Sequence, residues 1–336
     1  MVLAQPLQRL RGDGRGARAR ELPERAHRAA SARQHSGVDE MPVLRRPDLL
    51  AEGWTDRELR RRRHRGELRS VCRGAYLLDG DERLDDRARH HALRVTAPSS
   101  LLSPDAVVSH VSAAVLHGLP VWGVPLGRVH HTRDRRAGSR RTATRHLHAA
   151  PLWPEDVVGV DGVAVTSVAR TLDDLARSVG FAPAVAVLDD ALHHDLVGLP
   201  ELAAVLARTS GWRGAPASRR AVGFADGRAM SVGESRSRVA MAELGLPAPE
   251  LQREIAGAFV DFAWPAFRTV GEFDGRVKYG KYLKPGQDPA DAVVAEKIRE
   301  DRIRDEGWRV VRWVWADLED FRIVAHRLRR AFTAPR

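Results

Sequence analysis

The chain lacks the residues and runs that mark several common protein classes. Cys72 is its single cysteine, so an internal disulfide and a cysteine-rich zinc site are both excluded. No apolar run approaches the roughly 20 residues that span a membrane, and no stretch resembles the apolar part of a secretory signal. A Walker-type nucleotide loop is also missing, which argues against an ATP requirement. We therefore expect a soluble, cytoplasmic protein.

Negative charge is the other deficit. Lys and Arg total 55 against 44 Asp and Glu, which gives a net charge of +11, and nearly all of the basic residues are arginine. Arginine makes bidentate contacts to phosphate and to guanine edges, so DNA is the first partner to consider. A genomic bias toward arginine would explain the ratio of Arg to Lys, but it would not explain the net excess.

Changes in composition divide the 336 residues into five segments. Residues 1–40 have no hydrophobic periodicity, which predicts a disordered basic tail, or a start codon assigned too early, with Met41 as the true start. We expect a DNA-binding domain at 41–80, an α+β middle domain at 85–208, a linker at 209–229 and a last domain at 230–333. The expected fold class is therefore a multidomain, mixed α/β protein.

Residues 41–80 predict a winged helix-turn-helix. A first helix ends near Gly53, Thr55 or Asp56 caps a second helix that runs to His64, and two short strands come next around Gly74. A recognition helix places its N-terminal residues in the major groove while flanking basic groups hold phosphates. We expect DNA contacts from seven arginines of this segment: Arg57, Arg60, Arg61, Arg62, Arg63, Arg69 and Arg73. The alternative is a solvated, arginine-rich helix face.

Two strands are predicted in the middle region, at 129–132 and 144–148. They carry four histidines: His130, His131, His146 and His148. Imidazole is a common metal ligand, but His130 and His131 must point to opposite faces of their strand, and no carboxylate pattern accompanies them. We therefore do not expect a metal site there.

Three acids lie within a hairpin pattern near the C-terminal end. Two apolar segments of alternating character flank the turn at Pro265, which predicts a β-hairpin. Pairing its arms places Asp261 roughly opposite Gly271 and Glu272, and Glu272 shares a face with Asp274. Because carboxylates are rarely buried unless they are paired or hold a metal, the three acids together predict a cation site.

Helices and one strand surround this hairpin in the sequence. Ser231 and Glu234 fit a capping box at the start of one helix, which is the purely structural explanation for Glu234. After the hairpin come a charged helix at 288–307, a strand at 308–315 and a final amphipathic helix capped by Asp317. The charged helix is expected to turn four apolar residues inward: Val293, Val294, Ile298 and Ile303.

The C-terminal pattern carries a resemblance to a known fold family. The order of elements and three motifs resemble a restriction-endonuclease-like, PD-(D/E)XK domain of the branch related to very-short-patch-repair endonucleases, over about 230–333. The motifs are Val260-Asp261-Phe-Ala-Trp-Pro265, Glu272-Phe-Asp274-Gly275 and Glu306-Gly-Trp-Arg-Val-Val-Arg312. Residues 41–80 are similar to the winged-helix domain of AbiEi-family antitoxins, and Thr166–Asp173 is similar to the segment C-terminal to that domain in such proteins.

This resemblance implies a Mg²⁺-dependent phosphodiesterase core, with Mn²⁺ as an alternative ion. Asp261 and Glu272 match the metal-binding acids of the family, and Glu234 matches a helix-borne acid that often completes the cluster. Asp274 stands where the family usually has a lysine, and Lys297 on the following helix is our preferred replacement. Lys278 and Lys281 are the other candidates for that cation.

Two functions of different classes are consistent with these patterns. The first is a DNA-binding protein whose C-terminal domain is a Mg²⁺-dependent endonuclease. The alternative is a non-enzymatic transcriptional repressor or antitoxin with a degenerate nuclease fold, whose partner would be a toxin or another product of its operon. A third, less specific interpretation is a basic globular protein whose acids form ordinary surface salt bridges.

Overall fold

The computed structural model describes residues 42–97, 105–135, 138–275 and 289–334. These residues form three separate β-sheets and eleven α-helices, a mixed α/β architecture. The predicted tail at 1–40, Met41, Lys278 and Lys281 lie outside the described residues. Within those residues, no helix is both long enough and apolar enough to cross a membrane.

The first sheet is built from residues 44–78. Its elements are β1 (Leu44–Arg45), α1 (Arg46–Ala51), α2 (Asp56–His64), β2 (Leu68–Cys72) and β3 (Ala75–Leu78). The strands are antiparallel in the order β1-β3-β2. The Thr55 hydroxyl accepts from the Glu58 N–H at 3.2 Å, and the Glu58 carboxylate accepts from the Thr55 N–H at 3.1 Å. The predicted cap of α2 is therefore confirmed, with Thr55 as the capping residue.

The second sheet has six strands and lies in the middle region. Its strands are β4 (Ala106–Val108), β5 (Val129–Asp134), β6 (Arg140–Arg141), β7 (Arg145–Ala150), β8 (Val157–Val160) and β9 (Val163–Thr166). Helix α3 (Arg87–Thr96) precedes β4, and helix α4 (His110–Leu116) connects β4 to β5. The strand order is β6-β7-β5-β4-β9-β8. The pairs β5–β7 and β4–β9 are parallel, whereas the other three pairs are antiparallel.

Four helices come after this sheet. They are α5 (Val168–Ala176), α6 (Phe181–His193), α7 (Leu199–Arg208) and α8 (Ala215–Phe224). Their apolar faces form the largest buried cluster, which includes Leu172, Leu188 and Leu202. Arg170 of α5 is completely buried, and its guanidinium contacts the carboxylates of Asp156 and Asp174 at 2.6 and 3.1 Å. Burial of this charge is sustained by the paired acids and by their hydrogen bonds.

Helix α8 lies where the sequence predicted a linker, at 209–229. The glycines and prolines of this segment resemble linker composition, but two of them start the helix. Gly214 has φ of +84°, a conformation that glycine adopts without strain, and Pro216 occupies the first turn, where its missing N–H is not needed. Ala215 and Ala221 of α8 are buried, so part of the predicted linker belongs to the packed core.

The third sheet forms the C-terminal part. Its elements are α9 (Val232–Glu243), β10 (Glu250–Ile255), β11 (Ala258–Trp264), β12 (Thr269–Asp274), α10 (Pro289–Asp305), β13 (Arg309–Val314) and α11 (Arg322–Thr333). The order β10-β11-β12-β13 is antiparallel except for the parallel pair β12–β13. The predicted succession of helix, strands, helix, strand and helix is thus confirmed.

Helix α10 presents its apolar residues differently from the prediction. Ile303 is buried, but Val294 and Ile298 are 56% and 46% exposed. The side chain of Val293 lies outside the described residues. The inward face is instead set by Arg299 and Glu300, whose side chains contact charged residues of the sheet.

Candidate functional site

One row of polar side chains crosses the C-terminal sheet. Phe262 pairs with Gly271 across β11 and β12, so the next positions along the two strands, Asp261 and Glu272, are opposite one another. This agrees with the predicted hairpin. Glu272 in turn lies opposite Arg312 of the parallel strand β13. On the other side of Asp261 lies Gln252 of β10. We call the set Gln252, Asp261, Glu272 and Arg312 the acidic row.

Asp261 has polar neighbours on two strands and two helices. Its Oδ2 accepts from the Phe273 N–H at 2.8 Å. Burial, followed by the negative charge of Glu234, raises the pKa of Asp261 to about 6, while the Phe273 N–H, the Gln252 amide and the positive charge of Arg299 act in the opposite direction. The carboxyl therefore titrates close to neutral pH.

Glu272 has an even higher pKa for the same kind of reason. Burial, followed by the charge of Asp261, raises the pKa of Glu272 to about 7, against the opposing effects of Arg299 and Arg312. The Arg299 Nη2 lies 3.1 Å from the Glu272 Oε1. Two neighbouring carboxyls whose pKa values are raised by burial and by a further carboxylate form an arrangement typical of functional sites and also of structural ion pairs.

Glu234 borders the acidic row from the first turn of α9. Its carboxylate accepts from the Met230 N–H at 2.9 Å, from the Ser231 hydroxyl at 2.8 Å and from the Gln252 amide at 3.2 Å. The Ser231 hydroxyl accepts from the Glu234 N–H, so the predicted capping pair is present, with Met230 in place of Ser231 as the backbone donor to the carboxylate. Glu234 thus closes the helix end and also contacts Gln252.

The cations that act on Glu272 are Arg299 and Arg312, whereas the sequence favoured Lys297 as the cation of the site. Lys297 is exposed on the same helix. Asp274 ends β12 beside Val314 and is half-buried. The sequence offered no signal for Arg299 because residues 276–288 separate α10 from the hairpin and leave its rotation undetermined. Gln252 could have been found by extending the strand register one strand further.

The acidic row has part of the donor set that a magnesium ion uses. Asp261 and Glu272 offer hard oxygen ligands, and Mg²⁺ commonly takes one or two carboxylates and keeps several waters. A divalent cation would also offset their mutual repulsion. In the part of the chain that the structure describes, the carboxylate of Glu234 does not converge with theirs as a third ligand. Asp261 and Glu272 are thus the two residues of the acidic row that could hold such an ion.

A second polar surface lies in the first sheet. Arg60, Arg63 and His64 of α2 and Arg69 and Ser70 of β2 line a shallow groove, which we call the arginine groove. None of its three arginines forms an ion pair with another described residue. The Arg60 Nε donates to the Asp56 carbonyl at 3.2 Å, and the Arg63 guanidinium lies 5.9 Å over the Tyr76 ring. Because none of the three is paired with a carboxylate of the described residues, their charges can attract anionic groups such as phosphates.

The other four predicted DNA contacts lie outside this groove. Arg62 is packed 4.4 Å over the ring of Trp54, and Arg61 lies 3.8 Å from a glutamate of the same helix. Arg57 and Arg73 are exposed, at the start of α2 and in the β2–β3 turn. The structure thus brings three of the seven arginines together and separates the remainder.

The chain is similar to a family of known description and to two curated proteins. Residues 38–78, which contain the arginine groove, match a family described as "Transcriptional regulator, AbiEi antitoxin". Two curated proteins of Mycobacterium tuberculosis are each 35% identical to the chain over 157 residues: the uncharacterized protein MT2308 of strain CDC 1551 / Oshkosh and the uncharacterized protein Rv2248 of strain ATCC 25618 / H37Rv. The matched segment covers 45% of this chain and 55% of each relative, so the chain spans about half the length of the curated relatives it matches.

One solved structure is also similar. The crystal structure of the RV2827C protein from Mycobacterium tuberculosis matches 65% of this chain and 81% of its own, with a TM-score of 0.34 and 18% sequence identity.

Proposed function

We propose that this chain is a DNA-binding transcriptional regulator of the antitoxin type, which contacts duplex DNA through a winged helix at residues 41–80. The observation that carries the proposal is the coincidence of the regulator-family match at 38–78 with the arginine groove. Helix α2 would lie in the major groove, and the β2–β3 hairpin would form the wing. Arg60, Arg63 and Arg69 would contact phosphates of the DNA backbone.

Salt dependence of binding tests this assignment. Each phosphate contact contributes about 0.9 to the slope of log affinity against log salt. We expect Arg60→Ala and Arg63→Ala each to reduce the slope by about that amount in fluorescence anisotropy with a labelled duplex taken from a random-sequence selection. Arg322→Ala is the matched control, since Arg322 is an exposed arginine on α11, where it pairs with Asp320. Equal slopes for all four proteins would contradict the proposal.

An antitoxin also has a protein partner. We propose that this partner is a toxin or another product of the same operon, bound outside the arginine groove so that DNA and partner can be held together. Co-expression with the neighbouring open reading frames, followed by co-purification of the untagged product, tests this point. Growth inhibition by the neighbour alone, relieved by this chain, is the expected result.

A second candidate function rests on the acidic row. The half-buried Asp261 lies opposite the buried Glu272, with pKa values of about 6 and 7, which favours a Mg²⁺-dependent nuclease-like domain at about 230–333. In such a site the ion, when bound, would activate a water and polarise the scissile phosphate. Asp261 and Glu272 would hold it, Glu234 would fix Gln252 beside Asp261, and Arg299 would limit the negative charge on Glu272.

Nicking of supercoiled plasmid separates the two candidates. Wild type, Asp261→Ala and Glu250→Ala are compared with Mg²⁺, Mn²⁺ or EDTA; Glu250 is an exposed acid on β10 that pairs with Arg253. A nuclease requires metal-dependent nicking that Asp261→Ala abolishes and Glu250→Ala retains. If none of the three proteins nicks the plasmid and duplex binding is intact, the regulator is the remaining candidate function.

A further inference from the structure

The six-stranded sheet gathers histidines on one of its faces. In the parallel pair β5–β7, His130 is opposite His146 and Thr132 is opposite His148. Because side chains alternate along a strand, His130, His146 and His148 share a face. His110, the first residue of α4, packs against this face, with its ring stacked 3.7 Å from the His148 ring.

Three of these imidazoles are close enough to share one ion. A nitrogen from each of His110, His130 and His148 lies within 4.8 Å of the other two, and the His130 Nδ1 lies 3.0 Å from the His148 Nε2. Ligand nitrogens around a tetrahedral zinc, with bonds of about 2.0–2.1 Å, are roughly 3.3 Å apart. The ring torsion of histidine is broad, so rotation about it changes the direction of each lone pair at little cost.

Neutral imidazole is the form of histidine that binds metal ions. His110 is buried, and His130 and His148 are half-buried. The His130 Nδ1 and the His148 Nε2 share a hydrogen bond, so one of the two carries the proton between them. A metal ion at the centre of the three rings would take the place of that proton.

Asp174 of α5 supplies the carboxylate that the sequence did not reveal. It is buried, and its Oδ2 lies 3.7 Å from the His110 Nδ1 with no hydrogen-bond partner among the described residues. Metal-bound histidines usually donate their other ring N–H to such a group. The His110 Nδ1 also lies 3.1 Å from the Ser109 hydroxyl. With Nδ1 turned toward Ser109 and Asp174, the Nε2 of His110 would be left for the ion.

The backbone of His110 adds an independent sign of a built site. Its φ of +53° lies in the left-handed region, which is uncommon outside glycine. Such strain persists where the surroundings impose it, and it clusters at functional positions. Here the residue with the left-handed backbone is His110, which brings the third imidazole to the histidine face of the sheet.

We propose that His110, His130 and His148 bind a divalent transition-metal ion of the zinc class, with Asp174 orienting His110. Three neutral imidazoles suit zinc, copper, iron or nickel and do not suit magnesium. This site is separate from the arginine groove and from the acidic row. It links α4 to the β5–β7 pair.

Metal titration of the untagged, EDTA-stripped full chain tests the proposal. We expect Co²⁺ to give the visible bands of a tetrahedral site at one ion per chain, and Zn²⁺ to displace it in the same stoichiometry. His130→Ala and His148→Ala should each abolish the bands or weaken binding by more than about 100-fold, beyond the 10–100-fold effect of losing an orienting partner. His326→Ala, an exposed histidine of α11, should bind as the wild type does.

Two further measurements keep the test decisive. Asp261→Asn should retain the Co²⁺ bands, because the acidic row is not part of this site; their loss would overturn the assignment to the histidines. Circular dichroism of each histidine variant distinguishes a lost ligand from a lost fold. If the folded wild type shows no saturable binding of Co²⁺ or Zn²⁺, the histidine stack is a packing feature and the proposal fails.

Discussion

Individual residues of the acidic row are defined by two opposing effects on their charges. Burial and the neighbouring carboxylate favour the neutral form of Asp261, whereas the Phe273 N–H and Arg299 favour the anion. The effects that favour the neutral form prevail, and they raise the pKa of Asp261 to about 6. At a pH between the unfolded and folded pKa values, the folded state therefore holds a proton that the unfolded chain would release. Ordinary surface carboxyls behave differently, since solvent screens their neighbours.

This balance predicts how stability changes with pH. A carboxyl whose folded pKa is raised stabilises the fold below its unfolded pKa, near 4, and that contribution is lost as the pH rises through about 6. We expect Asp261→Asn to be more stable than wild type at pH 8, by about 1–3 kcal/mol, and nearly equal to it at pH 4. The asparagine Oδ1 can still accept from the Phe273 N–H.

Denaturant unfolding across pH 4–8 measures the difference. Glu250→Gln is the matched control, as Glu250 is exposed on the neighbouring strand, and its profile should match that of the wild type. Identical pH profiles for wild type and Asp261→Asn would show that Asp261 does not titrate in this range. Added Mg²⁺ should raise the wild-type midpoint at pH 8 more than that of Asp261→Asn, if the acidic row binds the ion.

Among the secondary-structure elements, α8 shows most directly how backbone conformation decides where a helix begins. Gly214 precedes it at φ of +84°, and a Cβ built there would meet the backbone and side chain of Arg177 at the end of α5. The close approach of the two segments therefore requires glycine for two reasons, the positive φ and the missing side chain.

Replacing this glycine should be costly. We expect Gly214→Ala to lower the free energy of unfolding by about 1–3 kcal/mol from backbone strain alone, with a further loss from the contact with Arg177. Gly211→Ala is the control, because Gly211 has neither a positive φ nor a neighbour within 4 Å of the added methyl. Equal stabilities of the two variants in denaturant unfolding would mean that α8 does not depend on this approach.

Local patterns predicted many of the elements, and packing decided the others. The cap at Thr55 depends on its spacing to Glu58, and the hairpin around Pro265 depends on alternation, so both were found. The final helix was expected at Asp317 but begins at Arg322, whose N–H is accepted by Asp320 at 3.2 Å. Asp317 instead accepts from the Val314 N–H within a short 3₁₀ turn. The residue that caps α11 is Phe321, with no side-chain cap, so the predicted cap at Asp317 is wrong, and the path of the chain decides where the helix begins.

The same limit applies to the sites. The opposition of Asp261 and Glu272 depends on a short hairpin, and its register could be predicted. The meeting of His110 with His148 depends on a helix crossing a sheet, between positions with no periodic relation in the sequence. His130 and His131 do point to opposite faces of their strand, as predicted. That alternation shows only that these two cannot bind the same ion, and it does not exclude a ligand histidine on a helix.

The whole molecule is more connected than its segmental composition suggested. Arg238 of α9 contacts the Asp189 carboxylate of α6 at 2.6 Å and donates to the Phe224 carbonyl of α8 at 2.7 Å. Arg236 stacks 4.2 Å over the Trp122 ring of the middle region. The C-terminal sheet is thereby fastened to the middle helices through α9, so the two parts should unfold together.

The buried pair of Arg238 and Asp189 tests that coupling. Removing one partner of such a pair typically costs about 3–5 kcal/mol, because the other charge stays buried without compensation. We expect Arg238→Ala to lose that much and to split the denaturant transition into two, observed separately by tryptophan fluorescence and circular dichroism. Asp189→Ala in the same chain should recover part of the loss, since no orphaned charge remains.

Arg322→Ala, which removes an exposed pair with Asp320, should leave a single transition at the wild-type midpoint. A single transition in Arg238→Ala would mean that apolar packing between α6 and α9 is sufficient to keep the two sheets in one cooperative unit.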